Sequence, residues 1–526
     1  MNKQILLIEP GYKNKYPPLG LMKIAQYHGP EGKDDNVRFI KGTTDKSVLE
    51  QAWDRIYVTS LFSFEWKKTA KAIDFALEVA KGNGSNVFVG GVAASLLHDS
   101  FLAERRWHGI RFIKGLLTDD PATSLHLDSF SEELYSEDTT SEPIENLTPD
   151  YSILEQVECQ HKYSVSDAYF LYASRGCIRK CKFCGVPTLE GPQRDSYSIS
   201  DSVKKIAEMY GEKKDLILMD NNFSASSRFK EIIAEIRDLG FTPGATITRG
   251  NRPVLRRVDF NQGLDARILC KVPMFMKELS TICIRPLRVA FDHIGFRKVY
   301  SQAVEHAASA GLPEISNYML YNFKDGPEDL FQRMQLNVAL RQKYGVPIYS
   351  FPMRYQPTTL KDRSHIGDKW NRYYLRSVQL ILQATHGVVS SSKSFANRAF
   401  GETEQEFVDL LMWPNRFIFN RAWYQELDGQ DELSSFQSKL SKLTNLQREQ
   451  LLEFISAHYN SQYEKALVSL ESKKLRDIAH YYVPLTEDDE RKIWNVCKER
   501  RQEMRDAASK IPEDEFVEDA GLELAS

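Results

Sequence analysis

Apolar runs of strand length, each followed by a turn and a stretch of helical periodicity, recur in two separate tracts of this 526-residue chain. That alternation restricts it to an α/β fold with parallel strands. In the first tract Ile5–Ile8, Arg55–Ser60 and Asn86–Val89 read as strands ending in turn residues. The helix Lys67–Lys81 joins the second of these to the third, as a right-handed parallel crossover requires. Residues 1–118 are therefore expected to form a doubly wound, Rossmann-like α/β domain. The second tract carries six strands, at 167–174, 215–219, 256–261, 287–292, 315–321 and 348–353. This predicts a partial (β/α)6 barrel over 166–355, whose C-terminal strand ends and following loops build a site. Asp119 to Asp150 contains no Lys or Arg but many Asp, Glu, Ser and Thr, so it is expected to be a solvated connector within an acidic linker over 119–165. From 356 to 526 the strands stop: Lys369–Thr385, Thr403–Met412, Asn445–Tyr459, Glu464–His480 and Glu487–Ala508 predict a helical C-terminal domain, and the end from Pro512 is an acidic, disordered tail.

An apolar content of 42% and a charged content of 27% are those of a soluble globular protein. A net charge of −3 supplies no general basic field for a polyanion, so any nucleic-acid contact has to be local. No apolar run approaches the length of a membrane span, and the apolar start Ile5–Ile8 is too short for a signal peptide, so no membrane association is expected. Seven sparse, unevenly spaced cysteines point to the reducing cytoplasm rather than to a disulfide scaffold.

Three of those seven, Cys177, Cys181 and Cys184, fall within eight residues as C-x3-C-x2-C, directly after the strand-like run Ala168–Ser174. One tight loop thus offers three thiolates. A structural zinc site takes four ligands, yet no His lies between His161 and His293 and the next cysteine is Cys270. An ordinary iron–sulfur cluster also takes four thiolates, so three leave one iron of a [4Fe–4S] cluster open. The spacing, with Phe183 before the last cysteine, resembles that of the radical S-adenosylmethionine (SAM) enzymes.

The resemblance implies a [4Fe–4S] cluster on Cys177, Cys181 and Cys184 as metal ligands and catalytic centre, SAM chelated at the open iron, and an external one-electron donor of flavodoxin or ferredoxin type. Reductive cleavage of SAM then yields a deoxyadenosyl radical that abstracts hydrogen from an unreactive position of a substrate, whose identity the sequence does not carry. Polar strand ends acquire roles on the same basis. Asp220 and Asn221, in Met219–Phe223, lie where the second-strand motif approaches the SAM amino group. Asn261, Gln262 and Asp265 are placed for the ribose hydroxyls and Arg267 for the SAM carboxylate. Tyr321, in Asn317–Phe323, resembles the adenine motif of the fifth strand, and Asp292 and His293 after the fourth are candidates for the reaction cavity, His293 standing equally as a core histidine.

The first domain resembles the cobalamin-binding domain that precedes the barrel in many radical SAM proteins, through Tyr16–Leu21, Val58–Ser63 and Val89–Ala93. Pro18, Gly20, Thr59, Ser60, Gly90 and Gly91 are the cofactor-edge candidates, glycine letting backbone approach a large flat group. There is no D-x-H-x-x-G motif, so an axial histidine is not implied, and a domain that has lost the corrin stands beside one that binds it. Cys159, Cys270, Cys283 and Cys497 form no second compact ligand set, and the first domain has no cysteine, which disfavours the methylthiotransferase branch. Lys369–Arg376 mixes basic and aromatic residues, either as a nucleic-acid surface or, preferred here, as an amphipathic helix with aromatic core residues. With cobalamin the expected reaction is methyl transfer to an unactivated carbon; without it, a radical rearrangement or another modification. The non-enzymatic alternative keeps the cluster for electron transfer or sensing, a role with no need of an open iron.

Overall fold

The computed structural model describes residues 2–117, 143–195, 198–385, 387–458 and 463–500, with the backbone of 501–508. The chain divides into two compact units: Met1–Val289 with Ser309–Leu312 and Gln356–His365, and Ala290–Ala308 with Pro313–Tyr355 and Ile366–Ser526.

In the first unit, β1 (Gln4–Glu9), β2 (Asn36–Lys41), β3 (Arg55–Ser60), β4 (Val87–Gly91) and β5 (Arg111–Phe112) form an all-parallel sheet in the order β2-β1-β3-β4-β5. This order places the topological switch point between β1 and β3. Ile5 to Ile8 are buried on both faces, the reason that strand reads as a continuous apolar run. The helix Trp66–Val79 lays Ala72, Ile73, Phe75 and Ala76 against the sheet. β2 is the edge strand, and the side chain of Gln156 completes it: Phe39 N–H donates to Gln156 Oε1 at 2.9 Å, and Gln156 Nε2 donates to Val37 O at 3.3 Å.

Ile144, within the stretch expected to be solvated, is buried, as are Tyr151, Ile153, Val157 and Tyr163 in the rest of the acidic linker. The correction has a simple cause: apolar residues spaced among many acids are hidden by an average over composition but still find a core. Residues 119–142 and the acidic tail lie outside the described residues.

Later in the same unit come β6 (Ala168–Leu171), the antiparallel pair β7 (Ser174–Arg175) and β8 (Arg194–Asp195), β9 (Asp215–Leu218), a hairpin of β10 (Thr246–Arg249) and β11 (Arg252–Leu255), β12 (Val258–Phe260) and β13 (Leu287–Arg288). β6, β9 and β12 form a parallel sheet in the order β12-β9-β6, and single bridges join Val258 to Ile284 and Leu264 to Val289. The helices Ile199–Tyr210 and Phe229–Asp238 bury Val203 and Ile206, and Ile232, Ile233 and Ile236. Four of the six expected barrel strands thus lie here.

The second unit holds the other two, β14 (Ile315–Tyr321) and β15 (Ile348–Arg354), parallel over seven residue pairs, with β16 (Val389–Ser390) antiparallel to β15. The crossover helix Pro327–Tyr344 has proline in its first turn and ends at Gly345 with φ +72°, a left-handed cap suited to glycine. Arg333 on this helix is fully buried between Asp325 and Asp329. Helices follow from Arg372–Ala384 onward, and Trp370, Tyr373 and Leu375 are buried in this unit's core.

Candidate active site

The three cysteines sit on a loop pinched shut at its base. Ser174 pairs with Asp195 and Arg175 with Arg194, Cys177 N–H donates to Gly191 O at 3.3 Å, and Gly176 N–H donates to Glu190 Oε2 at 2.8 Å. Gly176 has φ +74°, and a Cβ there would stand 2.1 Å from Pro192 O, so only glycine closes the base. Arg175 holds the same point from the other side, through Glu190 Oε1 at 3.1 Å, Glu145, and the ring of Tyr172 at 3.3 Å. Lys23 reaches Glu145 at 3.0 Å, so this nearly buried charge network runs from the helix Leu19–His28 to the cysteine loop.

None of the seven cysteines is in a disulfide, and the three of the loop are half-buried. N–H groups point at two of their sulfurs: Arg179 N at 3.3 Å and Asn222 Nδ2 at 3.6 Å from Cys177 Sγ, and Val186 N at 3.5 Å from Cys184 Sγ. Such bonds favour a thiolate and tune a metal centre bound to it. Asp265 binds Arg179 Nε at 2.7 Å and Arg267 Nε at 2.8 Å. Burial alone would raise the Asp265 carboxyl, but the two guanidiniums overcome it and hold the pKa below the usual carboxylate value. Arg267 in turn lies against the Cys181 thiol. Among the described residues no group of three His, Cys, Asp or Glu side chains is arranged around one metal ion. A cubane cluster takes each thiolate on a different iron, so the sulfurs need no common point. The donor set fits such a cluster: three thiols outside any disulfide, N–H groups aimed at two of them, and cationic side chains alongside.

The strand-end candidates divide by what already occupies them. Asp220 is 1% exposed and accepts from Ala173 N at 3.0 Å and Ser174 Oγ at 2.6 Å, bracing the chain just before the cysteines. Burial pushes its pKa up to about 6. Asn221, by contrast, has a buried Nδ2 with no hydrogen-bond partner, the feature expected of a group that meets a ligand. Asn261 accepts from Tyr16 OH at 2.8 Å, Gln262 is exposed, and Asp265 and Arg267 bind each other. Arg179 and Asn222 were not singled out from the sequence; their signal was position, one inside the cysteine motif and one beside Asn221. In the second unit Tyr321 is buried against Trp370, and His293 Nδ1 accepts from Gly295 N at 2.9 Å as a helix-capping group.

At the C-terminal edge of the first sheet, Ser60 Oγ donates to Gly90 O at 2.7 Å and accepts from Ala94 N at 2.8 Å, and a Cβ on Gly91 would meet Ser60 O at 2.4 Å. Both residues thus serve to tie the C-terminal ends of the parallel strands β3 and β4 together. Pro18, Gly20, Thr59 and Gly90 are less engaged: a Cβ on Gly20 would meet nothing within 4 Å, and one on Gly90 would meet only Ile113 at 3.8 Å. Tyr12 is buried at the switch point with its hydroxyl on Thr69 and its ring edge-on to Phe62 at 5.8 Å.

Among solved structures the chain is similar to the radical S-adenosylmethionine methyltransferase TsrM from Kitasatospora setae with tryptophan substrate and a SAM analogue bound, at 14% identity and TM-score 0.43 over 64% of this chain and 71% of that one. It is similar to the same enzyme with cobalamin and a [4Fe–4S] cluster bound, at 14% identity and TM-score 0.41 over 68% and 74%. It is also similar to the cobalamin-dependent S-adenosylmethionine radical enzyme OxsB with aqua-cobalamin bound, at 14% identity and TM-score 0.47 over 97% and 81%. No protein-family model matches the sequence, and no characterised protein matches it by sequence search. Among the described residues no helix is long and apolar enough to cross a membrane.

Proposed function

We propose that this chain is a radical SAM enzyme, and the observation that carries the reading is the pinched loop presenting Cys177, Cys181 and Cys184 beyond the end of a parallel strand. A [4Fe–4S] cluster held there would supply an open iron for SAM and the electron that cleaves its C–S bond. The chain's own part is to hold that chemistry in place. Asn222 and the backbone N–H groups of Arg179 and Val186 stabilise negative sulfur, and Asp265 orients Arg179 and Arg267 beside it. Asn221 offers an unengaged donor for SAM, while Asp220 fixes the loop's entry rather than facing outward.

The finer reading is cobalamin-dependent methyl transfer to an unactivated carbon, with Pro18, Gly20, Thr59 and Gly90 along the corrin edge; open space at Gly20, and room for a Cβ at Gly90 in ordinary contact with Ile113, support it. Tyr12 and Phe62 at the switch point favour the second reading, radical chemistry without a corrin. Anaerobic purification with cluster reconstitution tests the core proposal. Wild type is expected to cleave SAM reductively, each of Cys177→Ala, Cys181→Ala and Cys184→Ala to lose cleavage, and Cys497→Ala to keep it. Full cleavage by Cys181→Ala refutes the assignment. Titration of hydroxocobalamin into the full chain separates the finer readings: a shifted corrin spectrum supports methyl transfer, and no change supports the corrin-free enzyme.

A further inference from the structure

The carboxylates around the cysteine loop face inward except Asp195, which is exposed at the loop base and accepts from Ser227 N at 3.1 Å. Glu190 and Glu145 bind Arg175, Asp220 binds the chain at Ala173 and Ser174, and Asp265 binds Arg179 and Arg267. What the loop turns outward between Cys177 and Cys184 is Ile178, at 50% exposure, and the exposed side chains of Lys180 and Lys182, neither of which pairs with an acid among the described residues. Arg194, exposed at the loop base, stands beside the exposed Asp195, so the excess positive charge of this face is that of Lys180 and Lys182. The outer face therefore combines one apolar contact with unneutralised positive charge in a chain whose net charge is −3.

We propose that this face, centred on Ile178, Lys180 and Lys182, is the docking surface for an acidic one-electron carrier protein. The inference rests on the radical SAM reading and deepens it by placing the electron donor. Two of the three residues alternate with the cysteines themselves, so a partner seated on them brings its redox group next to the metal centre. One electron would leave the reduced carrier and enter a cluster held by the three thiolates, with no atom transferred. Complexes of this kind are small and short-lived, and charge complementarity sets their rate of formation more than their affinity. A nucleic-acid occupant is disfavoured because the patch is narrow and carries an apolar residue at its centre where a phosphate track would need further cations.

The test uses full-length, cluster-reconstituted protein and follows cluster reduction by stopped-flow absorbance with two reductants, a reduced flavodoxin and dithionite. Lys180→Glu/Lys182→Glu is expected to slow reduction by flavodoxin at low salt by roughly tenfold or more and to flatten its salt dependence. Reduction by dithionite, which needs no docking, should stay within about twofold of wild type. Lys180→Arg/Lys182→Arg, which keeps the charge, should behave as wild type with both. Equal flavodoxin rates in the reversed variant overturn the proposal, as does an equal loss with dithionite, which would place the lysines' effect on the centre itself. Loss of RNA binding in the variant with an unchanged flavodoxin rate also overturns it. A wild-type protein that dithionite cannot reduce overturns the cluster reading beneath it.

Discussion

Asp220→Asn should stabilise the protein at neutral pH and remove part of its pH dependence. Asp220 is 1% exposed, and burial raises its pKa from 3.8 to about 6. The folded state therefore binds this proton more tightly than the unfolded state, so the stability associated with it is fully present below pH 3.8 and is lost as pH rises towards 6. At about 1.4 kcal/mol per pH unit the loss totals about 3 kcal/mol, of which roughly 1.3 falls between pH 5 and 7. Asparagine mimics the protonated acid: its carbonyl accepts from Ala173 N–H, and its amide donates to Ser174 Oγ, which rotates to accept. Thermal unfolding of the full chain, wild type against variant from pH 5 to 7.5, isolates this one group. The variant's midpoint should exceed that of wild type by roughly 3–6 °C at pH 7.5 and by less at pH 5. A constant difference across the range, or a variant less stable at pH 7.5, would show that Asp220 ionises without penalty and that its charged hydrogen bonds dominate.

The opposite slope is expected from His28, fully buried between Asp35 at 2.9 Å and Tyr57 at 2.9 Å, whose pKa burial lowers from 6.5 to about 4. Its contribution is intact above pH 6.5 and falls by about 3 kcal/mol towards pH 4, so His28→Gln should flatten the acid limb of the stability profile, and an unchanged limb would assign it elsewhere. Gly176→Ala should cost at least about 1–3 kcal/mol locally and reduce the iron incorporated per chain, read by iron assay and by hydrogen exchange over residues 168–195; normal iron content would mean the loop base can open. Asn222→Ala should shift the cluster's midpoint potential to a more negative value with SAM cleavage retained under dithionite, checked by redox titration; an unmoved potential would remove the N–H···S bond from the account.

Much of the architecture was legible because buried parallel strands write themselves as short apolar runs, as at Ile5–Ile8 and Ala168–Leu171. Asn36–Lys41 was not, since an edge strand with exposed Asn36 and Arg38 breaks that pattern. The hairpin β10–β11 was missed for the same reason, being polar and carrying Pro253. Glu464–His480 is two helices, Tyr463–Leu467 and Lys473–Ala479, because Ser472 caps a new start through Leu475 N. The cysteine loop was readable since its chemistry is local in sequence. The partner of Asn261 was not: Tyr16 lies 245 residues away, and nothing in either neighbourhood announces the pair.

Gln156 bears on how this protein can be taken apart. By lending its amide to Val37 and Phe39 it lies along the outer side of β2, a strand that would otherwise present open backbone to any other chain. A fragment cut near residue 118 would keep every strand of the first sheet and lose that guard. Such a piece would be predisposed to pair edge to edge and aggregate, whereas one extended through residue 165 would carry its own protection.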